Sequence, residues 1–148
     1  MIYIAHRGNL YGPEPDSENQ ISYLRRGLIA GFMVESDIRF VDGRWWTGHD
    51  EPIDEVPKEM MTNQQILWHA KTMETAAAII ADDFLRRLMH WFWHDDDHFA
   101  MTSKGWLLSH AAHQPVKGCI QVCLTNDEPA SGVSGICSDF VGRLRGNA

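Results

Sequence analysis

The sequence predicts an α/β fold, a compact TIM-like (β/α) barrel in which several outer helices are missing or reduced. Three observations predict it. Short apolar runs that read as strands alternate with stretches of helical spacing as far as about Leu88. Chemically capable side chains collect where those runs end, at His6, Asp37, His69, His94 and Asp139, as expected where a site sits at the C-terminal face of barrel strands. The chain has 148 residues, whereas a full barrel takes about 250, so some crossover helices must be reduced to loops.

The first apolar run, Ile2 to Ala5, is β-branched and aromatic and stops at His6-Arg7-Gly8, which marks a strand and its exit turn. After a Pro/Gly-rich loop, Ser17 is placed to cap a helix over 18–30, with Ile21, Leu24, Leu28 and Ile29 on its apolar face and Gly31 closing it. Phe32 to Phe40 reads as a strand, with Glu35, Asp37 and Arg39 on one side and Val34, Ser36, Ile38 and Phe40 on the other. Asp42-Gly43 is a hairpin turn, and the returning arm, Arg44 to Gly48, delivers His49-Asp50. Gln65 to Ala70 is the next strand, followed by Lys71 and by one helix from Thr72 or Met73 to about Met89. His90 to Trp93 reads as a further short strand, Phe99 to Met101 and Trp106 to Leu108 flank the turn Thr102-Ser103-Lys104-Gly105, and Cys119 to Leu124 and Val133 to Cys137 read as two late strands. No helix is expected after Leu88, and the basic, Gly-rich tail beyond Phe140 is expected to fray.

A 44% hydrophobic, 22% charged chain of this length fits a single domain, 1–148, with its own core. The net charge of −7 argues against a general binder of nucleic acid or anionic membrane. Any phosphate handled here needs a local positive centre. There is no apolar run of membrane-spanning length and no leader-like segment, so a cytoplasmic protein without stable membrane insertion is expected. Cys119, Cys123 and Cys137 read as buried apolar residues rather than as a disulfide or zinc set.

Glu35 and Asp37 lie at i and i+2, which aims both carboxylates the same way. Adjacent carboxylates repel unless they are protonated, solvated or bridged, and a hard divalent cation such as Mg²⁺ or Ca²⁺ is their natural partner. A merely solvated strand face has the same pattern. His6 and His49 are two imidazoles on separate elements nearby, able to divide general acid and general base work. Arg7 can hold a phosphate oxygen by charge-assisted hydrogen bonds.

Taken in order, His6-Arg7-Gly8, Glu18-Asn19, Glu35-Ser36-Asp37 and His49-Asp50 resemble the motifs of the glycerophosphodiester phosphodiesterase family, within the wider group of phospholipase C-like phosphodiesterase barrels. The likeness covers roughly the first third of the chain. It implies a metal-dependent hydrolase of lipid metabolism acting on glycerophosphodiesters or similar small phosphodiesters. His6 and His49 would be the acid/base pair, Arg7 and Lys71 the phosphate contacts, and Glu35 and Asp37 the ligands of one divalent metal ion.

The chain departs from that family in two places. His69 stands where the family has its third, acidic ligand, two residues before the lysine. That change removes a negative charge and shifts the expected metal from Mg²⁺ or Ca²⁺ toward Mn²⁺ or Zn²⁺. Asp95 or Asp97 could restore the charge, or the Asp95-Asp96-Asp97 run is a solvated loop. Glu18, Trp93, Trp106 and Asp139 are further candidates, the tryptophans as pocket walls or as packing. There is also no room for the family's usual substrate-binding insertion, which leaves lysophospholipid head groups and other simple diesters open as substrates, and a cyclic phosphate product where a neighbouring hydroxyl attacks. The alternative is a degenerate barrel that binds a phosphorylated ligand without turnover. A glycosidase using Glu35 and Asp37 fits less well, because i, i+2 carboxylates do not flank a scissile bond. A barrel short of outer helices should expose apolar surface, which a homo-oligomer would cover.

Overall fold

The computed structural model describes residues 1–94, 97–110, 113 and 115–146. Nine strands form one sheet: β1 (Ile2–Ala5), β2 (Met33–Val41), β3 (Arg44–Thr47), β4 (Ile66–Ala70), β5 (Trp91–Phe92), β6 (Phe99–Met101), β7 (Leu107–His110), β8 (Ile120–Val122) and β9 (Gly135–Ser138). The helices are α1 (Ile21–Ile29), α2 (Lys58–Met61), α3 (Met73–Ala81), α4 (Asp83–Leu88) and α5 (Val141–Gly146).

The sheet runs β5-β4-β2-β1-β9-β8-β7-β6, with β3 hung on β2 as a hairpin arm. Seven of the eight strands on that path run parallel, and β6 pairs antiparallel with β7. The order follows the chain outward from β1 to β5 and back from β6 to β9, so the ends curl toward each other. Between them the Ser103 N–H donates to the Trp91 carbonyl at 2.7 Å, and the Trp91 N–H to Ser103 Oγ at 3.1 Å. The result is a mixed α/β fold with a nearly closed, barrel-like sheet of eight strands, set apart from a uniform parallel barrel by its antiparallel strand.

Side-chain alternation divides the residues between two faces. Ile4, Leu67, Phe92, Leu108, Ile120 and Cys137 cluster inside the curl. Val34, Ile38, Ile66 and Trp68 point outward and are covered by Leu24 of α1, Ile79 of α3 and Leu85 of α4. Among the described residues no helix covers β6 and β7, and Phe99, Met101 and Leu107 there are 54%, 66% and 49% exposed. No helix of the described residues is long and apolar enough to cross a membrane. All three cysteines are free and buried.

Three expectations about the helices need correction. α1 starts at Ile21, not residue 18, because Asn19 takes a left-handed conformation (φ 63°) that a helix cannot contain. Ser17 is not the cap. The Ile21 N–H is instead met by Asp54 Oδ2 at 2.9 Å, reaching from the loop after β3. The helix expected over 73–89 is two, because the Asp82 side chain accepts from the N–H groups of Phe84 and Leu85 and starts a new helix. The tail does not fray at Phe140. Val141 and Leu144 of α5 are fully buried, and Arg145 lies 3.5 Å over the Phe32 ring while donating to the carbonyls of Ala30 and Gly31 at the end of α1. A cation there meets the negative end of the helix dipole.

The closing seam makes the fold sensitive to acid. His90 is 2% exposed, and its Nε2 lies 3.1 Å from Thr102 Oγ1. That hydroxyl already accepts from the N–H groups of Lys104 and Trp106. Its own proton therefore goes to His90, which must be neutral at Nε2. Burial, then the Lys104 charge, lower the His90 pKa to about 4 from 6.5. The unfolded chain thus binds this proton more readily than the folded one. The associated stability is complete above about pH 6.5 and falls toward pH 4, by on the order of 3 kcal/mol. Urea unfolding at pH 7 and pH 4.5 is expected to show a smaller acid loss in His90→Gln than in the parent chain.

Candidate active site

The C-terminal ends of the parallel strands open into a cavity of about 420 Å³ lined by His6, Arg7, Glu35, Asp37, His49, His69 and Lys71, among others. The strand register explains much of the convergence. Asp37 pairs with His69 and His69 with Phe92, so adjacent strands present these side chains on the same inner face.

Glu35 and Asp37 are 4% and 1% exposed, which rules out a solvated strand face. Their environments differ. Asp37 Oδ2 accepts from Asn19 Nδ2 at 2.9 Å and lies 3.1 Å from Arg7 Nε, in ion-pair contact without hydrogen-bond alignment. Its Oδ1 lies 3.3 Å from His69 Nδ1 and 3.6 Å from Lys71 Nζ. Burial alone would raise the Asp37 pKa, but His69, Arg7 and Lys71 together hold it well below the usual carboxylate range. Glu35 accepts, among the described residues, the Arg7 N–H alone, at 3.2 Å. Burial, reinforced by repulsion from Asp37, pushes it up to about 7. One carboxylate is thus compensated by protein cations and the other is short of positive charge.

His69 stacks between Phe92 and His94, at ring-centroid distances of 4.5 and 4.6 Å. Burial lowers its pKa and Lys71 adds to this, while Asp37 pulls the other way without prevailing, so the ring is neutral at neutral pH. Its Nε2 is buried with no hydrogen-bond partner among the described residues. Glu35, Asp37 and His69 each offer one ligand atom, all within 4.8 Å of one another. An undercompensated carboxylate, an ionised one and a neutral imidazole with an orphaned nitrogen form a donor set that fits a metal ion.

His6 faces this cluster from the turn after β1. Its Nδ1 is 2.8 Å from Asp139 Oδ1, and its Nε2 is 3.9 Å from Glu35 Oε2. Asp139 is held in turn by Asn9 Nδ2 at 2.8 Å, and Asn9 also reaches Glu18 Oε1 and receives the Tyr23 hydroxyl proton. Burial would lower the His6 pKa, but the Asp139 hydrogen bond and the charges of Glu35 and Asp139 raise it overall. The same hydrogen bond, with that of Asn9, outweighs burial and lowers Asp139.

His49 sits at the rim, its side chain 40% exposed and its Nδ1 2.9 Å from Asp50 Oδ1. Gly48 before it has φ 136°, and a Cβ there would overlap the Glu51 carbonyl. Arg39 pins this turn by donating to the carbonyls of Gly48 and His49.

The structure therefore brings seven sequence candidates to one cavity, with Asp139 and Glu18 directly behind His6 and Arg7. Asp97 and His94 also line it. Trp106 does not. It packs edge-on against His90 at 4.7 Å, and Trp93 is 39% exposed and outside the lining. Asp95 lies outside the described residues. Asn9 and Arg39 carry positioning contacts that sequence reasoning gave no role. Asn19, quoted only as part of a motif, clamps β2: its Oδ1 accepts from Ser36 Oγ and the Asp37 N–H while its Nδ2 holds the Asp37 carboxylate. No family model, curated protein or solved structure matches the chain.

Proposed function

We propose that this chain is a metal-dependent phosphodiester hydrolase on a short TIM-like barrel, acting on glycerophosphodiesters or related small phosphodiesters. The observation that carries the reading is the meeting of two charge patterns in one cavity: the Glu35–Asp37–His69 donor set and the His6–Asp139 pair. A divalent cation bound by the donor set would neutralise a phosphodiester oxygen and the charge developing on it. The imidazole among the ligands favours Mn²⁺ or Zn²⁺ over Ca²⁺ and Mg²⁺.

The chain's own groups supply the rest. Glu18 and Asp37 engage Arg7 Nη1 and Nε, which leaves Nη2 to meet a phosphate oxygen. Lys71 adds a second cation on the same side. His6, held toward the protonated form by Asp139, donates a proton to the leaving alcohol. His49 at the wet rim takes the proton from the attacking water. Proton transfer of this kind is typically worth about 10²- to 10⁴-fold in rate.

A second reading, binding without turnover, is favoured by the commitment of Arg7 to two carboxylates. One assay separates them. Hydrolysis of bis(p-nitrophenyl) phosphate and glycerophosphocholine is expected to be absent in EDTA and restored by Mn²⁺ or Zn²⁺ above Mg²⁺ and Ca²⁺. No turnover with any of the four, together with saturable binding of a phosphomonoester, would support the binding reading instead.

A further inference from the structure

The cavity has two unlike halves. The groups given a chemical role come from β2, β4, the residues just after β1, β3, β4 and β9, and the loop before α1. The other wall is apolar in its buried part, with Leu67, Phe92, Ala100, Leu108, Val122 and Cys137, and carries His94, Asp97, His98 and His110 at its more exposed edge. It begins in contact with the donor set, since the Phe92 ring stacks on His69 at 4.5 Å. The Cys137 thiol belongs to it chemically, because burial, with Glu35 and Asp139 adding to the effect, raises its pKa well above the usual value and keeps it neutral. Barrel interiors are ordinarily filled by layers of bulky branched side chains. Here inward positions on β6 and β9 hold Ala100 and Cys137, and the space is left open.

Resting on the hydrolase reading above, we propose that this apolar wall is a subsite for one ester arm of the substrate, and that it takes an apolar alcohol in preference to glycerol. A phosphate centred between Arg7, Lys71 and the donor set has its cationic partners on one side. An arm directed into the buried part of the other side, past the exposed Asp97, His98 and His110, meets carbon and a thiol. Glycerol hydroxyls buried there would exchange water for no hydrogen bond and bind poorly, whereas each methylene of an alkyl chain gains from burial. In the reaction the oxygen of water bonds to phosphorus, one P–O ester bond breaks, the released alcohol takes up a proton, and a phosphomonoester remains.

The test is calorimetric binding of monoalkyl phosphates from ethyl to octyl, with glycerol 3-phosphate beside propyl phosphate, in the presence of Mn²⁺. Affinity is expected to rise about two- to fourfold per methylene until the wall is covered, and propyl phosphate to bind about tenfold or more tighter than glycerol 3-phosphate. Val122→Thr keeps shape and adds a hydroxyl to the wall, and Leu124→Ser does so at the mouth, where the residue is 39% exposed. Both are expected to flatten the dependence on chain length. A flat series, no binding by any member, or equal binding of the propyl and glycerol compounds would overturn the proposal. Hydrolysis of hexyl p-nitrophenyl phosphate is measured in parallel. A steep series without turnover keeps the apolar subsite and removes the hydrolase. Turnover with a flat series keeps the hydrolase and removes the subsite.

Discussion

His6→Ala is expected to lower metal-dependent phosphodiester turnover by about 10²- to 10⁴-fold while the protein remains folded. His6 lies in the turn after β1 facing the cavity, and its loss leaves Asp139 still bonded to Asn9. Near-parent activity in the variant would remove His6 from the chemistry. Asp139→Asn makes the sharper test. The amide keeps the shape and loses the charge, so the His6 pKa must fall, because the Asp139 hydrogen bond and charge are among the interactions that hold it up against burial. If His6 is the general acid, its protonated form is the active one, and the basic limb of the pH–rate profile moves to lower pH. Movement of the acidic limb instead would make His6 the base and exchange its role with His49. An unshifted profile with normal rates would mean that Asp139 only packs against the ring. Circular dichroism of each variant separates these outcomes from unfolding.

What could be read from the chain alone follows a physical boundary. Strand ends were legible because apolar runs of period two stop abruptly at polar groups, and register then carries His6, Glu35, Asp37 and His69 to the same end of the sheet. The carboxylate pair was legible as a pair, but its burial was not. That depends on Arg7, β4 and the Asn19 clamp closing around it, none of which is a property of Glu-Ser-Asp. The contacts that sequence reasoning missed are all long-range or depend on unusual backbone. Asn9 reaches Asp139 across 130 positions, Asp54 caps α1 across 33, and Arg145 caps its other end across 115. Asn19 works only because of its positive φ. The break at Asp82 is the exception. An Asp in mid-helix is itself a cap signal, and the apolar stripe running through it concealed the interruption. The antiparallel β6 also carried a signal, because the turn Thr102-Ser103-Lys104-Gly105 joins two short apolar runs as a hairpin connection does, and β6 and β7 pair across it.

Glu35→Gln is expected to stabilise the metal-free protein at pH 8 and to abolish its response to metal. The carboxyl is buried beside Asp37, and these two causes raise its pKa from 4.5 to about 7. A folded chain that holds a proton more tightly than the unfolded chain gains most where the proton is present in both states. The stability tied to Glu35 is therefore complete below about pH 4.5 and is lost as pH rises to about 7, a swing on the order of 3 kcal/mol. This runs opposite to His90, so the two variants bend the pH–stability curve in contrary directions and can be told apart. Gln keeps the acceptor for the Arg7 N–H and removes the charge, so at pH 8 in EDTA its midpoint in urea should exceed that of the parent chain. Saturating Mn²⁺ should reverse the order. A cation bound only by the folded state stabilises it in proportion to the logarithm of its concentration over Kd, and Gln in place of one carboxylate ligand weakens that binding. A parent chain that Mn²⁺ does not stabilise would show that Arg7, Lys71 and a protonated Glu35 already balance the site, and would argue for phosphate binding without hydrolysis. Stabilisation of the parent but not of Glu35→Gln ties the buried repulsion to the metal. The charge imbalance that costs stability in the empty site is then what draws the cation to it.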